Sequence, residues 1–155
     1  MQKIVHLETN TPSDVVIELM ADEDFKLITK GRYFFNWKKE KGKAVYKLRL
    51  KESDEILGLM TLEHIPGEML FEIKLLATGK ENCGKEKLYE GIAENLIAYA
   101  CREAVTQYGE DACVSLFPKT KLRPHYIVKY GMEEAGIQVF LAGPALFKLL
   151  QKNGL

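Results

Sequence analysis

Residues 88 to 100 read Leu88-Tyr89-Glu90-Gly91-Ile92-Ala93-Glu94-Asn95-Leu96-Ile97-Ala98-Tyr99-Ala100. Ile92, Leu96, Ile97, Ala100 and Ala104 recur at helical spacing and Gly109 supplies a stop, so the pattern predicts one long helix from about Tyr89 to Tyr108. Gly91 and Ala93 place small residues at its start. There a ligand can approach the backbone closely, and the unpaired N–H groups of a first helical turn suit a pyrophosphate. Gly91 also fits a plain helix start or a close packing contact, which is the commoner use of three such residues taken alone.

Upstream, Gly79-Lys80-Glu81-Asn82-Cys83-Gly84-Lys85 matches the glycine and lysine frame of a nucleotide-binding P-loop. The next residue is Glu86, where a hydroxyl should hold magnesium, and its carboxylate repels phosphates. A P-loop also needs a strand–helix–strand unit, and what precedes this one reads as an antiparallel meander. Three strand-like runs make that meander: Ala44 to Lys51, Ile56 to His64 and Met69 to Thr78. Glu52-Ser53-Asp54 and Pro66-Gly67 turn the chain between them, and such short connections force antiparallel neighbours. Lys38 to Lys43 reads as a solvated turn. Phe25, Tyr33, Phe34, Phe35 and Trp37 either cover a core or line a substrate mouth, burial being the more frequent role. Lys3 to Leu7 predicts a strand. Thr11-Pro12-Ser13 carries helix-start chemistry, followed by an apolar stripe at Val15, Val16, Leu19 and Met20.

Downstream, Ala112 to Phe117 predicts a strand, Lys121 to Tyr130 a helix closed by Gly131, Ile137 to Leu141 a strand, and Pro144 to Lys152 a last helix. This order reads as an α+β, mixed-sheet arrangement in one domain over residues 1–155. The 22 basic and 22 acidic residues cancel, which argues against bulk attraction to nucleic acid or an anionic membrane. No run approaches the about 18 apolar residues of a membrane span, and the first residues lack the core of a signal peptide. Cys83, Cys101 and Cys113 form no Cys-x-x-Cys pair, and read as reduced thiols in a cytoplasm. Neither His6 nor His64 has spacing that suggests a metal site.

The run from Leu88 to Ala100, continued by Ala104 and Gly109, resembles the coenzyme A loop and helix of the GNAT acyltransferases. Their pattern is Gln or Arg, two residues, Gly, any residue, then Gly or Ala. Cys113 to Leu116 is similar to the strand after that helix. His125-Tyr126-Ile127-Val128-Lys129-Tyr130-Gly131-Met132 is similar to the family's closing helix end. The resemblance covers roughly Ala44 to Leu141. Leu88 stands in place of Gln or Arg, the loop before Gly91 is long and charged, and Ile127 occupies the usual position of the acid tyrosine, with Tyr126 one residue earlier.

The resemblance implies a GNAT-like fold: a central, mostly antiparallel sheet with a splayed parallel pair and helices on both faces. It implies acetyl-CoA as co-substrate and direct transfer of its acetyl group to a primary amine of a small molecule or protein. Leu75, Leu76 and Ala77 would polarise the thioester carbonyl through backbone amides, and Leu88, Tyr89, Glu90, Gly91, Ile92 and Ala93 would hold the coenzyme. Glu72 would be the base, or a strand carboxylate paired with Lys74. Tyr126 would be the acid, or a packing tyrosine, with His125 a further choice. Lys85, Lys87, Lys119 and Arg123 would contact phosphates or serve as surface charges. A cytoplasmic monomer or homodimer without metal, nucleic-acid or membrane partners is expected. The alternatives are a GNAT-shaped module that holds the coenzyme or a partner without transfer, and an interaction domain using the aromatics from Phe25 to Trp37.

Overall fold

The computed structural model describes residues 2–28, 33, 37–82, 87–118 and 120–155. In chain order the elements are β1 (Lys3–His6), β2 (Thr11–Leu19), β3 (Val45–Leu50), β4 (Ile56–Ile65), β5 (Leu70–Thr78), β6 (Tyr89–Glu90), α1 (Ile92–Tyr108), β7 (Cys113–Leu116), α2 (Arg123–Tyr130), β8 (Glu133–Ala135), β9 (Gln138–Ala142) and α3 (Gly143–Lys152). They fall into two compact units, Met1–Thr61 with Leu76–Leu96 and Leu62–Leu75 with Ile97–Leu155. The strands β4 and β5 and the helix α1 each pass from one unit into the other.

In the first unit the strands run in the order β6-β1-β2-β3-β4. Where the sequence predicts a helix after Thr11, the chain instead forms the strand β2. Thr11, Val15, Val16 and Ile17 are β-branched and favour a pleated backbone, and neighbours on both sides complete the ladder. Residues Thr11 to Asp14 pair with β1, and Val15 to Leu19 pair with β3. Pro12 lies where β2 has its β1 partner alone, so its missing N–H breaks no bond toward β3.

Phe25, Tyr33 and Trp37 are buried, which gives those aromatics the core role; Phe34 and Phe35 lie outside the described residues. The charged turn after Trp37 is anchored as well as solvated. Glu40 is buried and accepts hydrogen bonds from Lys43 Nζ at 2.7 Å and from the Thr61 hydroxyl at 3.3 Å.

The helix α1 begins at Ile92, three residues later than its pattern predicts, because Tyr89 and Glu90 pair with β1. Gly58 on β4 makes room for that start. A Cβ at Gly58 would stand 2.6 Å from Ile92 Cγ2 and 3.1 Å from Leu96 Cδ1. The P-loop pattern fails on the same fact: its helix should follow Lys85 at once, yet α1 opens only at Ile92.

In the second unit the order is β5-β7-β9-β8. β5 and β7 are parallel, with Phe71 beside Val114, Glu72 beside Ser115 and Ile73 beside Leu116, while β7–β9 and β8–β9 are antiparallel. The sheet is therefore mixed, and α1 is the crossover that a parallel pair requires. Ile97, Ala98, Ala100, Cys101 and Ala104 of α1 are fully buried. β8 was not foreseen; its Glu-Glu-Ala sequence is exposed and carries no apolar alternation to read.

Candidate active site

Gly91 turns the chain from β6 into α1 at φ 101°, a left-handed conformation that favours glycine. Buried polar side chains fix this turn. Asn95, 1% exposed, donates from Nδ2 to the Gly91 carbonyl at 2.7 Å and to the Lys3 carbonyl at 2.8 Å. Gln2, also buried, donates from Nε2 to the Asn95 carbonyl at 2.7 Å and to Asn95 Oδ1 at 3.0 Å. The first strand is thus tied to the start of the helix across more than ninety residues of sequence. Sequence reading missed both residues, since a Gln at position 2 and an Asn in a helix give no periodic signal.

Of the residues expected to hold the coenzyme, Leu88 and Tyr89 already have their amides engaged. Leu88 N–H donates to the Glu81 carbonyl at 3.2 Å, and Tyr89 N–H donates to Asn82 Oδ1 at 3.0 Å. The Leu88 carbonyl accepts from Leu7 N–H at 2.9 Å. The first-turn amides of Ile92 and Ala93 have no partner within a helix, because the first intrahelical bond runs from Asn95 N–H to the Gly91 carbonyl at 3.0 Å. The amides of residues 88 and 89 are thus spent within the protein, and those of Ile92 and Ala93 are not spent within the helix. Glu90 pairs with Lys87 at 2.6 Å, which turns that lysine toward a carboxylate. His6 stands opposite Tyr89 in register, with the rings edge to face at 5.1 Å, so this histidine borders the loop. Lys85 and Lys119 lie outside the described residues.

In the second unit Glu72 is 4% exposed, although a strand carboxylate of this kind ordinarily faces water. Its Oε2 lies 2.5 Å from Lys74 Nζ, and its Oε1 accepts from Gln138 Nε2 at 3.1 Å. The hydrogen bond to Glu72 raises the Lys74 ammonium above the usual lysine range. Glu72 is therefore both sequestered and paired. Beyond Ile73 the register of β5 with β7 ends, and Leu75, Leu76 and Ala77 continue the strand past it. Tyr126 on α2 is buried, and burial raises its phenol above the ordinary tyrosine range, so it stays protonated at neutral pH. His125 packs edge to face on Tyr126 and Tyr130 at 5.7 and 5.8 Å. Arg123 is committed to the β8–β9 turn, donating to the carbonyls of Gly136 and Ile137 at 2.7 and 3.1 Å. Among the described residues no group of three or more His, Cys, Asp or Glu is placed to hold a metal ion, and no helix is long and apolar enough to cross a membrane.

Solved structures of acetyltransferases match this arrangement. The spermidine/spermine N-acetyltransferase SpeG from Vibrio cholerae matches with a TM-score of 0.59 at 14% identity, over 89% of this chain and 96% of that one. The toxin AtaT, bound to the C-terminus of the antitoxin AtaR and acetyl-CoA, matches with a TM-score of 0.59 at 17% identity, over 89% and 99%. A Bacillus anthracis protein assigned as a streptothricin acetyltransferase, in complex with acetyl coenzyme A, matches with a TM-score of 0.60 at 12% identity, over 84% and 98%. No family model and no curated protein matches the sequence. At these identities the likeness is one of fold. The chain has the α+β fold of the GNAT acetyltransferases.

Proposed function

We propose that the protein is an N-acetyltransferase that moves an acetyl group from acetyl-CoA to a primary amine. The observation that carries the reading is Gly91, left-handed at the opening of α1 on a GNAT fold, with the Ile92 and Ala93 amides beside it. The co-substrate supplies the acetyl thioester and its diphosphate. In this reading Gly91, Ile92 and Ala93 bind the diphosphate through backbone N–H groups, while Leu88, Tyr89 and Glu90 shape the loop. Amides of Leu75 to Ala77, past the last β7 partner, polarise the carbonyl. Glu72 Oε2 takes one proton from the acceptor ammonium to free the lone pair that attacks, Tyr126 protonates the departing sulfur, and the proton lost from the newly acylated nitrogen restores the Tyr126 phenol. The amine nitrogen bonds to the carbonyl carbon as the carbon–sulfur bond breaks. The reading includes a cytoplasmic setting, in keeping with the free thiols of Cys101 and Cys113, and one catalytic domain, in keeping with three elements shared by both units.

Thermal unfolding with acetyl-CoA tests the coenzyme site. A ligand held by the native state at a hundred times its Kd adds about 2.7 kcal/mol, several degrees in Tm. No shift at millimolar coenzyme overturns the assignment. A screen of amines for release of coenzyme thiol tests the transfer, and in it Tyr126→Phe should lower kcat about tenfold or more with KM for acetyl-CoA unchanged. Unaltered kcat leaves the acid role to another group. The second reading, a binding module without transfer, draws on the Glu72–Lys74 pairing and on Ile127 at the usual tyrosine position. A thermal shift with no thiol release from any amine would favour it.

A further inference from the structure

The side chains of Glu72 and Lys74 are two residues apart on β5 and so share one face of the sheet, together with Ser115, which lies beside Glu72 in register. Phe117 follows Ser115 by two residues along the same chain, and Lys74 Nζ stands 6.0 Å from its ring centroid. Lys74 Nζ is also 3.3 Å from Glu63 Oε2, in addition to its 2.5 Å contact with Glu72. One ammonium is therefore held by two carboxylates and an aromatic ring, with Gln138 fixing the second oxygen of Glu72. Two carboxylates thus face the one Lys74 ammonium.

Two further observations distinguish this cluster from an ordinary surface pair. Glu72 is withdrawn from water, its side chain 5% exposed, whereas Lys74 is 42% exposed and can swing outward on its four-carbon stem. The Ser115 hydroxyl is buried and, among the described residues, has no hydrogen-bond partner, which leaves an unused polar group beside Glu72. A buried polar atom without a partner is costly, and a ligand donor is one way to satisfy it.

We infer that this face is an ammonium-binding subsite, and that the primary ammonium of the acceptor displaces Lys74 from its place between Glu72 and Glu63. The inference rests on the proposed function in that Glu72 is the base there. Lys74 thereby selects for cations: a neutral or anionic acceptor leaves the lysine in position and the base engaged. A flexible alkylammonium reaches Glu72 as the lysine stem does, with aliphatic carbon against Phe117.

Binding of n-butylammonium is measured by calorimetry on the full chain without acetyl-CoA, with n-butanol as the neutral control. Lys74→Met keeps the stem and removes the internal competitor, so butylammonium should bind about fivefold more tightly than to the wild type, the factor expected for loss of a partly exposed ion pair. Glu63→Gln, in the presence of Lys74, should weaken it, and butanol should show neither effect. Equal binding to wild type and Lys74→Met, or binding indifferent to Glu63→Gln, overturns the subsite. Should Lys74→Met fail to fold, Glu63→Gln decides alone. The two failures separate cleanly. Butylammonium bound as expected without acetyl transfer sinks the catalytic reading and keeps the subsite; transfer with no response to Lys74→Met or Glu63→Gln does the reverse.

Discussion

The Gly91 carbonyl is held by an uncharged hydrogen bond from the buried Asn95 side chain; Glu72 is held chiefly by charge. Gln2 and Asn95 in the first unit are 7% and 1% exposed and bond to each other, to backbone carbonyls and across to β1. In the second unit Glu72 is equally buried, but its main partner is an ammonium on a half-exposed, flexible stem. Amide bonds keep one geometry in any salt and through the neutral pH range. A carboxylate–ammonium pair yields to a competing cation and weakens with salt. The first construction suits a ligand part identical in every turnover, as the diphosphate of acetyl-CoA would be. The second suits a part that changes, as an acceptor amine would.

The sharpest way to break this contrast is to remove the Asn95 side chain. Asn95→Ala strips partners from the buried Gln2 Nε2 and from the part-buried Lys3 and Gly91 carbonyls. The expected loss is about 3 kcal/mol, roughly 10 °C in Tm. Coenzyme-induced stabilisation should fall as well, because the turn at Gly91 loses its brace. Full retention of the acetyl-CoA shift in a destabilised Asn95→Ala protein would make the network purely structural.

A smaller change probes the turn itself. Gly91→Ala forces a side chain onto φ 101°, and should cost about 1–2 kcal/mol. Space is not the obstacle, since the nearest atom to an added Cβ is Asn95 Nδ2 at 3.4 Å. Gly91→Glu adds a carboxylate to the same strain. Comparing the two variants for acetyl-CoA affinity by calorimetry isolates charge from strain, and equal affinities would move the phosphates away from this turn.

Much of the fold was legible because its signals are local. The strands β3, β4 and β5 alternate or run apolar between turn residues, and α1 repeats its apolar positions over seventeen residues. β2 was misread because Thr-Pro-Ser offers helix-start chemistry, while the pairing that makes it a strand comes from β1 and β3. The same is true of the site. Gly91 is visible as a glycine before a periodic helix. Its brace by Gln2 and the engagement of the Leu88 and Tyr89 amides are long-range or loop contacts with no spacing to betray them. Glu72 and Lys74 are adjacent on one strand face and their pairing was foreseeable; the burial of Glu72 and its bond to Gln138, sixty-six residues away, were not.

The shifted acids of the two units move in opposite directions, and this yields the smallest effect. In the first unit Asp14 and Glu18 are held below the usual carboxylate range, chiefly by hydrogen bonds from Lys3 and Arg49 respectively. Asp24 is lowered too: burial pushes it up, but the Ala21 amide and Lys47 outweigh that. In the second unit burial raises Cys101, Cys113 and Tyr126. A lowered carboxyl adds stability that is present above its unfolded pKa and lost as pH falls through the folded value. A raised thiol or phenol adds stability that is complete below its unfolded pKa, 9.0 for these thiols, and lost as pH rises beyond it. Stability should accordingly be level from about pH 5 to 9 and decline on both sides. Cys101, fully buried, should alone remove about 1.4 kcal/mol by pH 10, because the unfolded thiol ionises and the folded one does not. Urea midpoints at pH 7 and pH 10 measure this. Cys101→Ala should shrink the difference between them; an undiminished difference would assign the alkaline loss to Tyr126 and Cys113.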